Sequence, residues 1–151
     1  MAKFAWAIIC QRALLDQTGN VSLIQILEDF GIPAPPPDKP APIGALVPFS
    51  LAIVTYWKRA HKNKPEKHKA RLRLLSPAGK QFGSATFDVD LMQHQRARCI
   101  AEIPGIAYHG PGAYVVRVDA AAGSRWRSVG ETEFNVHHNM ALAPTPARLA
   151  H

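Results

Sequence analysis

Apolar and polar side chains alternate along most of this chain, and no stretch carries the apolar stripe of a helix of ordinary length. Residues 3–10 (KFAWAIIC) place Phe4, Trp6, Ile8 and Cys10 at alternate positions with Ala5, Ala7 and Ile9 between them, the pattern of a strand buried on both faces. Asp16, Gln17, Thr18, Gly19 and Asn20 supply turn chemistry, and Val21 to Glu28 is again rich in aliphatic and β-branched residues, which predicts a hairpin over 3–28. Val47, Phe49, Leu51, Ile53, Thr55 and Trp57 share one face of a long strand, with Ser50, Ala52, Val54 and Tyr56 on the other. Leu72 and Leu74 face inward while Lys69, Arg71 and Arg73 face out.

Beyond the turn Ser76–Gly79, Phe82 to Val89 is a further strand, and Leu91 to Arg98 makes either two helical turns or a crossing between sheets. Arg98 to Ile103 is a short strand, Pro104 to Gly112 a loop, Tyr114 to Val118 a clear strand, and Trp126 to Val136 the last, with Phe134 and Val136 in the core. Gly112 allows tight entry into its strand, so that Tyr114 can bury its ring beside Val116 and Val118 and send its hydroxyl to a loop carbonyl. The pattern predicts an all-β fold: a two-sheet antiparallel β-sandwich of about eight strands, immunoglobulin-like or jelly-roll-like, with little helix. It occupies one domain, residues 1–136, followed by a flexible tail over 137–151 in which alternation is lost.

Composition interrupts this picture in two places. Residues 32–48 hold seven of the thirteen prolines and form a semi-rigid connector, with a proline-rich ligand for another module as the alternative. The net charge of +7 also has one address. Lys58, Arg59, Lys62, Lys64, Lys67, Lys69, Arg71 and Arg73 are opposed only by Glu66, and the rest of the chain is balanced. The basic segment reads as an exposed loop over 58–68 whose charges continue onto a strand face. Eight cations in sixteen residues could neutralise several phosphates, with Tyr56 and Trp57 just before them to stack on a base. The alternative is a solvated loop that guards a sheet edge, with Trp57 in the core.

Little else in the chain carries chemistry. The longest apolar run, Ala45 to Thr55, is too short for a membrane helix, and the N-terminal segment lacks a cleavage pattern, so a cytoplasmic protein is expected. Cys10 and Cys99 lie in apolar strands without CxxC partners and read as inert buried thiols. His137 and His138 are adjacent and point to opposite faces, His61 and His68 sit among cations, and His94 and His109 are isolated, so no metal site is expected. No serine has a nucleophile-elbow context, Asp88 and Asp90 fit a solvated strand end, and no phosphate-cradling glycine loop is present. The expectation is a protein without catalytic residues or cofactor.

FAWAIIC (4–10), the turn DQTGN leading into VSLIQILEDF (21–30), SPAGK (76–80), PGAYVVRVD (111–119) and ETEFNV (131–136) together resemble an uncharacterised bacterial family of small β-sandwich proteins, domain-of-unknown-function family 6941. The resemblance implies an N-terminal hairpin, a sandwich and a late GxY strand leading into the final one. It implies no activity, cofactor or catalytic residue. The leading expectation is a non-enzymatic binding or accessory protein of the bacterial cytoplasm, acting on a protein partner or on itself through sheet edges or end loops. The alternative is a polyanion or nucleic-acid binder that uses the eight cations of 58–73. A second alternative, behind the other two, is an enzyme or metalloprotein using His109, His137 or His138.

Overall fold

Residues 1–139 are described by a computed structural model, and all regular structure among them is β. Eleven strands follow in chain order: β1 (Lys3–Leu15), β2 (Val21–Ile26), β3 (Asp29–Pro33), β4 (Leu46–Val47), β5 (Leu51–Lys58), β6 (Glu66–Leu75), β7 (Gln81–Leu91), β8 (Arg96–Ile103), β9 (Ile106–Ala107), β10 (Gly112–Ala122) and β11 (Arg125–Asn139). They form a four-stranded sheet of order β2-β1-β5-β8, a five-stranded sheet of order β3-β11-β10-β6-β7, and the two-stranded ribbon β4-β9. Eleven strands in three sheets replace the expected eight or so in two. The additions are the short β3, β4 and β9. No helix among the described residues is long and apolar enough to cross a membrane.

One core cluster draws on both larger sheets, joining Ile9, Ile53 and Trp57 of the first to Leu72, Val89, Val116, Val118 and Phe134 of the second. Trp57 is fully buried, packs edge-on against Phe4 at 5.2 Å, and donates its indole N–H to Thr55 Oγ1 at 3.0 Å. It belongs to the core and cannot stack on a base. Gly130 of β11 lies so close to the Phe4 ring that a Cβ there would collide with it, which lets β11 cross β1 closely. The expected GxY arrangement is present: Gly112 has φ +129°, and the buried Tyr114 donates its hydroxyl to Gly110 O at 2.8 Å while accepting from the His109 N–H at 2.7 Å.

Three element boundaries differ from expectation, each for a local reason. The strand expected from Val47 to Trp57 breaks at Pro48, which has no N–H to give a ladder; Leu46 and Val47 pair instead with Ala107 and Ile106. The basic loop ends at Pro65, and Lys67 and Lys69 lie on β6, because Glu66, His68 and Ala70 take the inward positions where aliphatic residues would have shown the strand. The expected tail begins with a strand, since His137, His138 and Asn139 pair in parallel with Gly31, Ile32 and Pro33. The remainder of that expected tail, 140–151, lies outside the described residues. The stretch from Leu91 to Arg98 holds the crossing between sheets at 92–95, and Arg96 to Arg98 already belong to β8.

The first sheet has a second buried face. Cys10, Ala52 and Val54 are covered there by Ala13, Val21 and Leu23, so the far half of the β1–β2 hairpin curls back over the sheet. Its turn is held by Asp16, whose carboxylate accepts the backbone N–H groups of Thr18 and Asn20 at 2.8 Å each, and Gly19 O accepts from Arg98 at 3.3 Å. Cys10 shares a face with its neighbour Ala52, whereas Cys99 lies opposite Thr55 on the core face. Both thiols are free, and burial pushes each above the ordinary cysteine value.

Candidate interaction surfaces

The eight cations singled out from the sequence do not form one surface. Arg59 is a clamp: its guanidinium donates to Leu91 O at 2.8 Å, Met92 O at 2.7 Å and Lys62 O at 3.0 Å, tying the 59–65 loop to the β7–β8 crossing. Arg71 and Arg73 converge on Asp119 of β10, which accepts four hydrogen bonds from them at 2.7–3.1 Å. Burial would raise the Asp119 carboxyl, but the hydrogen bonds from Arg73 and Arg71 outweigh it and hold the group below the usual aspartate range. Arg71 also lies 4.6 Å above the Trp126 ring. Lys67 pairs with Asp88 at 3.3 Å in an exposed contact of little energetic weight. Lys62, Lys64 and Lys69 are exposed and form no ion pair among the described residues, and Lys58 stands apart on the outer face of the four-stranded sheet.

Lys58 there joins residues that sequence reasoning missed. It lies directly opposite Lys3 on one side and Arg96 on the other, so three cations stand in a row across β1, β5 and β8. The next row holds Trp6, Tyr56 and Arg98. Trp6 and Tyr56 rings are 5.2 Å apart, and Lys58 and Arg98 sit 5.4 and 5.2 Å from the Tyr56 ring centroid. Among the described residues, none of Lys3, Lys58, Arg96 and Arg98 forms an ion pair. No spacing rule links positions 3, 58 and 96; only strand register does.

Of the four edges of the larger sheets, three are blunted. β8 carries Arg96, Arg98 and Glu102, β7 carries Asp88 and Asp90, and β3 carries Asp29 and ends on Pro33. β2 (VSLIQI) has neither charge nor proline, and Ile24 and Ile26 are 41% and 56% exposed. Gln25, between them, has φ +52°, which twists the edge locally. Ile24 lines an open cleft with Arg12, Phe49 and Ile103, and Ile26 lines another with Ile8, Leu27 and Glu28.

The histidines do not gather. Tyr108 and His138 share a hydrogen bond of 2.8 Å and His109 packs on Phe82, but no group of three or more His, Cys, Asp or Glu suited to a metal is found among the described residues. Compared with known proteins, the chain matches no protein-family model and no curated protein.

Proposed function

We propose that this chain is a non-enzymatic β-sandwich binding module, immunoglobulin-like in the packing of its two larger sheets, that receives a strand of a partner protein along the edge of β2. The observation that carries the reading is the contrast between β2 and the three other edges, each of which bears the charges or proline that discourage strand addition. Main-chain hydrogen bonds along Val21–Ile24, before the left-handed Gln25, would supply affinity, and Ile24 and Ile26 at the rims of their mixed polar and apolar clefts would pack on apolar side chains of the added strand. The Tyr114 hydroxyl bonded back to Gly110 supports the immunoglobulin-like reading, because a tyrosine tied to the loop before its strand is a recurring feature of such sandwiches. The bacterial cytoplasm, a compartment that keeps thiols reduced, suits the two free cysteines. The resemblance of segments 4–10, 21–30, 76–80, 111–119 and 131–136 to family 6941 adds no activity to the proposal.

The test is selection from a displayed library of extended ten-residue peptides. Peptides with alternating apolar residues should be enriched, should slow amide hydrogen exchange across 21–26, and should bind the Ile24→Lys variant at least ten-fold more weakly. Light scattering would show whether a second copy fills the same edge. A library that yields no binder, or binders indifferent to Ile24→Lys and to β2 protection, refutes the proposal.

A further inference from the structure

We infer that the outer face of the four-stranded sheet holds a binding site for single-stranded nucleic acid, centred on Lys3, Lys58 and Arg96 with Trp6 beside them. The site is independent of the β2 edge, and it is not the basic loop.

Three observations lead to it. Neighbouring strands lie about 4.8 Å apart, so the three cations fall within about 10 Å, and like charges directly opposite one another oppose folding. No carboxylate pairs with them or with Arg98 among the described residues, although the chain pairs Arg71, Arg73, Arg117 and Lys67 elsewhere. An uncompensated local cost of this kind is expected where a surface serves a ligand. The second observation is a bulge in β1. Lys3 and Trp6 are three residues apart and would point to opposite faces of a regular strand, but the register shift between Phe4 and Trp6 brings both to the outer face, opposite Lys58 and Tyr56. The third is the aromatic surface. Tyr56 is capped by Lys58 and Arg98, whereas Trp6 is half-buried and edges the cation row.

Phosphates along the cation row and a base on the Trp6 ring are the two contacts by which sheet surfaces hold single strands; paired bases would have no free face to stack. The strand would continue into the open cleft between the hairpin turn and the β7–β8 crossing. That cleft is lined by Thr18, Gly19, Asp90, His94, Arg96 and Arg98, so it shares Arg96 with the cation row and joins to it Arg98 and one carboxylate.

The test uses fluorescence anisotropy of labelled oligo-dT and oligo-U 12-mers from 50 to 200 mM salt. A 12-base-pair duplex and phosphatidylserine vesicles serve as comparators. The intact chain should bind the single strands, with affinity falling linearly on logarithmic axes. The triple variant Lys3→Gln/Lys58→Gln/Arg96→Gln should lose at least ten-fold in affinity at 50 mM salt and about two units of salt slope. Trp6→Ala should lose about five-fold or more and Trp6→Phe much less. Lys62→Gln/Lys64→Gln/Lys69→Gln should bind like the intact chain. The triple row variant should melt no lower than the intact chain, because it relieves repulsion; a lower melting point would make the row structural and overturn the inference. So would absence of binding at 50 mM salt, loss of binding in the loop variant but not the row variant, or equal affinity for duplex or vesicles.

Discussion

Replacing Asp119 by Asn should cost this protein more stability than its small change in shape implies. The carboxylate is 1% exposed and receives four charge-assisted hydrogen bonds from two guanidinium groups. Asn keeps one oxygen acceptor, loses the charge, and turns an amide N–H₂ toward donors. Removing one partner of a fully buried ion pair costs about 3–5 kcal/mol. Here Arg71 and Arg73 remain 27% and 24% exposed, so water recovers part of that cost, and about 2–3 kcal/mol remains. For a chain of this size that lowers the melting temperature by about 5–10 °C. The carboxyl is held below its unfolded-state value, so its contribution is complete above that value and is lost as pH falls through the folded-state one. Urea unfolding of both proteins from pH 7 to pH 2 should therefore show a gap that is widest near neutrality and narrows progressively once the pH falls below the unfolded-state aspartate value. A gap below about 0.5 kcal/mol at pH 7, or one that stays constant with pH, would refute this account.

Tyr114→Phe keeps the ring in the core but removes the hydroxyl that links His109 N–H to Gly110 O; the loss should be about 1–2 kcal/mol in urea unfolding with an unchanged m-value. His68 packs edge-on against Trp57, and neither of its ring nitrogens has a hydrogen-bond partner among the described residues. Burial lowers its pKa, the N-terminus of Met1 adds to that, and Glu66 opposes both without reversing them. The stability held by the neutral ring is present above the unfolded-state pKa and is lost as pH falls through the lower folded-state value. His68→Phe should match the intact chain within about 1.5 kcal/mol at pH 8 and gain on it by up to about 1.4 kcal/mol per pH unit toward pH 5; parallel curves would count against it.

What the sequence made legible was local. The β1–β2 hairpin, the outward Arg71 and Arg73, the buried Trp57 and the Tyr114 hydroxyl bond each follow from alternation or turn chemistry within a few residues. Features made by register were hidden. Asp119, which neutralises two members of the cationic run, lies on β10 and meets them only because it stands opposite Arg71 on β6. Lys3, Lys58 and Arg96 belong to three different strands, and the β1 bulge that aligns Lys3 with Trp6 leaves no mark in composition. The β6 start was hidden for the opposite reason: His68 and Ala70 occupy core positions without looking apolar enough to announce a strand.

The place of β11 has a consequence for synthesis of the chain. In the five-stranded sheet it lies between β3 and β10, so two strands made at very different times are joined only through a strand made after both. Asp29 to Pro33 find their partners about a hundred residues later, at Asn135 to Asn139. Until then β3 has no ladder and Phe134 and Val136 are missing from the core. The nascent protein must keep an incomplete interior out of unwanted contacts until β11 has been made, and its folding is expected to be slow and to await that strand rather than proceed stepwise from β1.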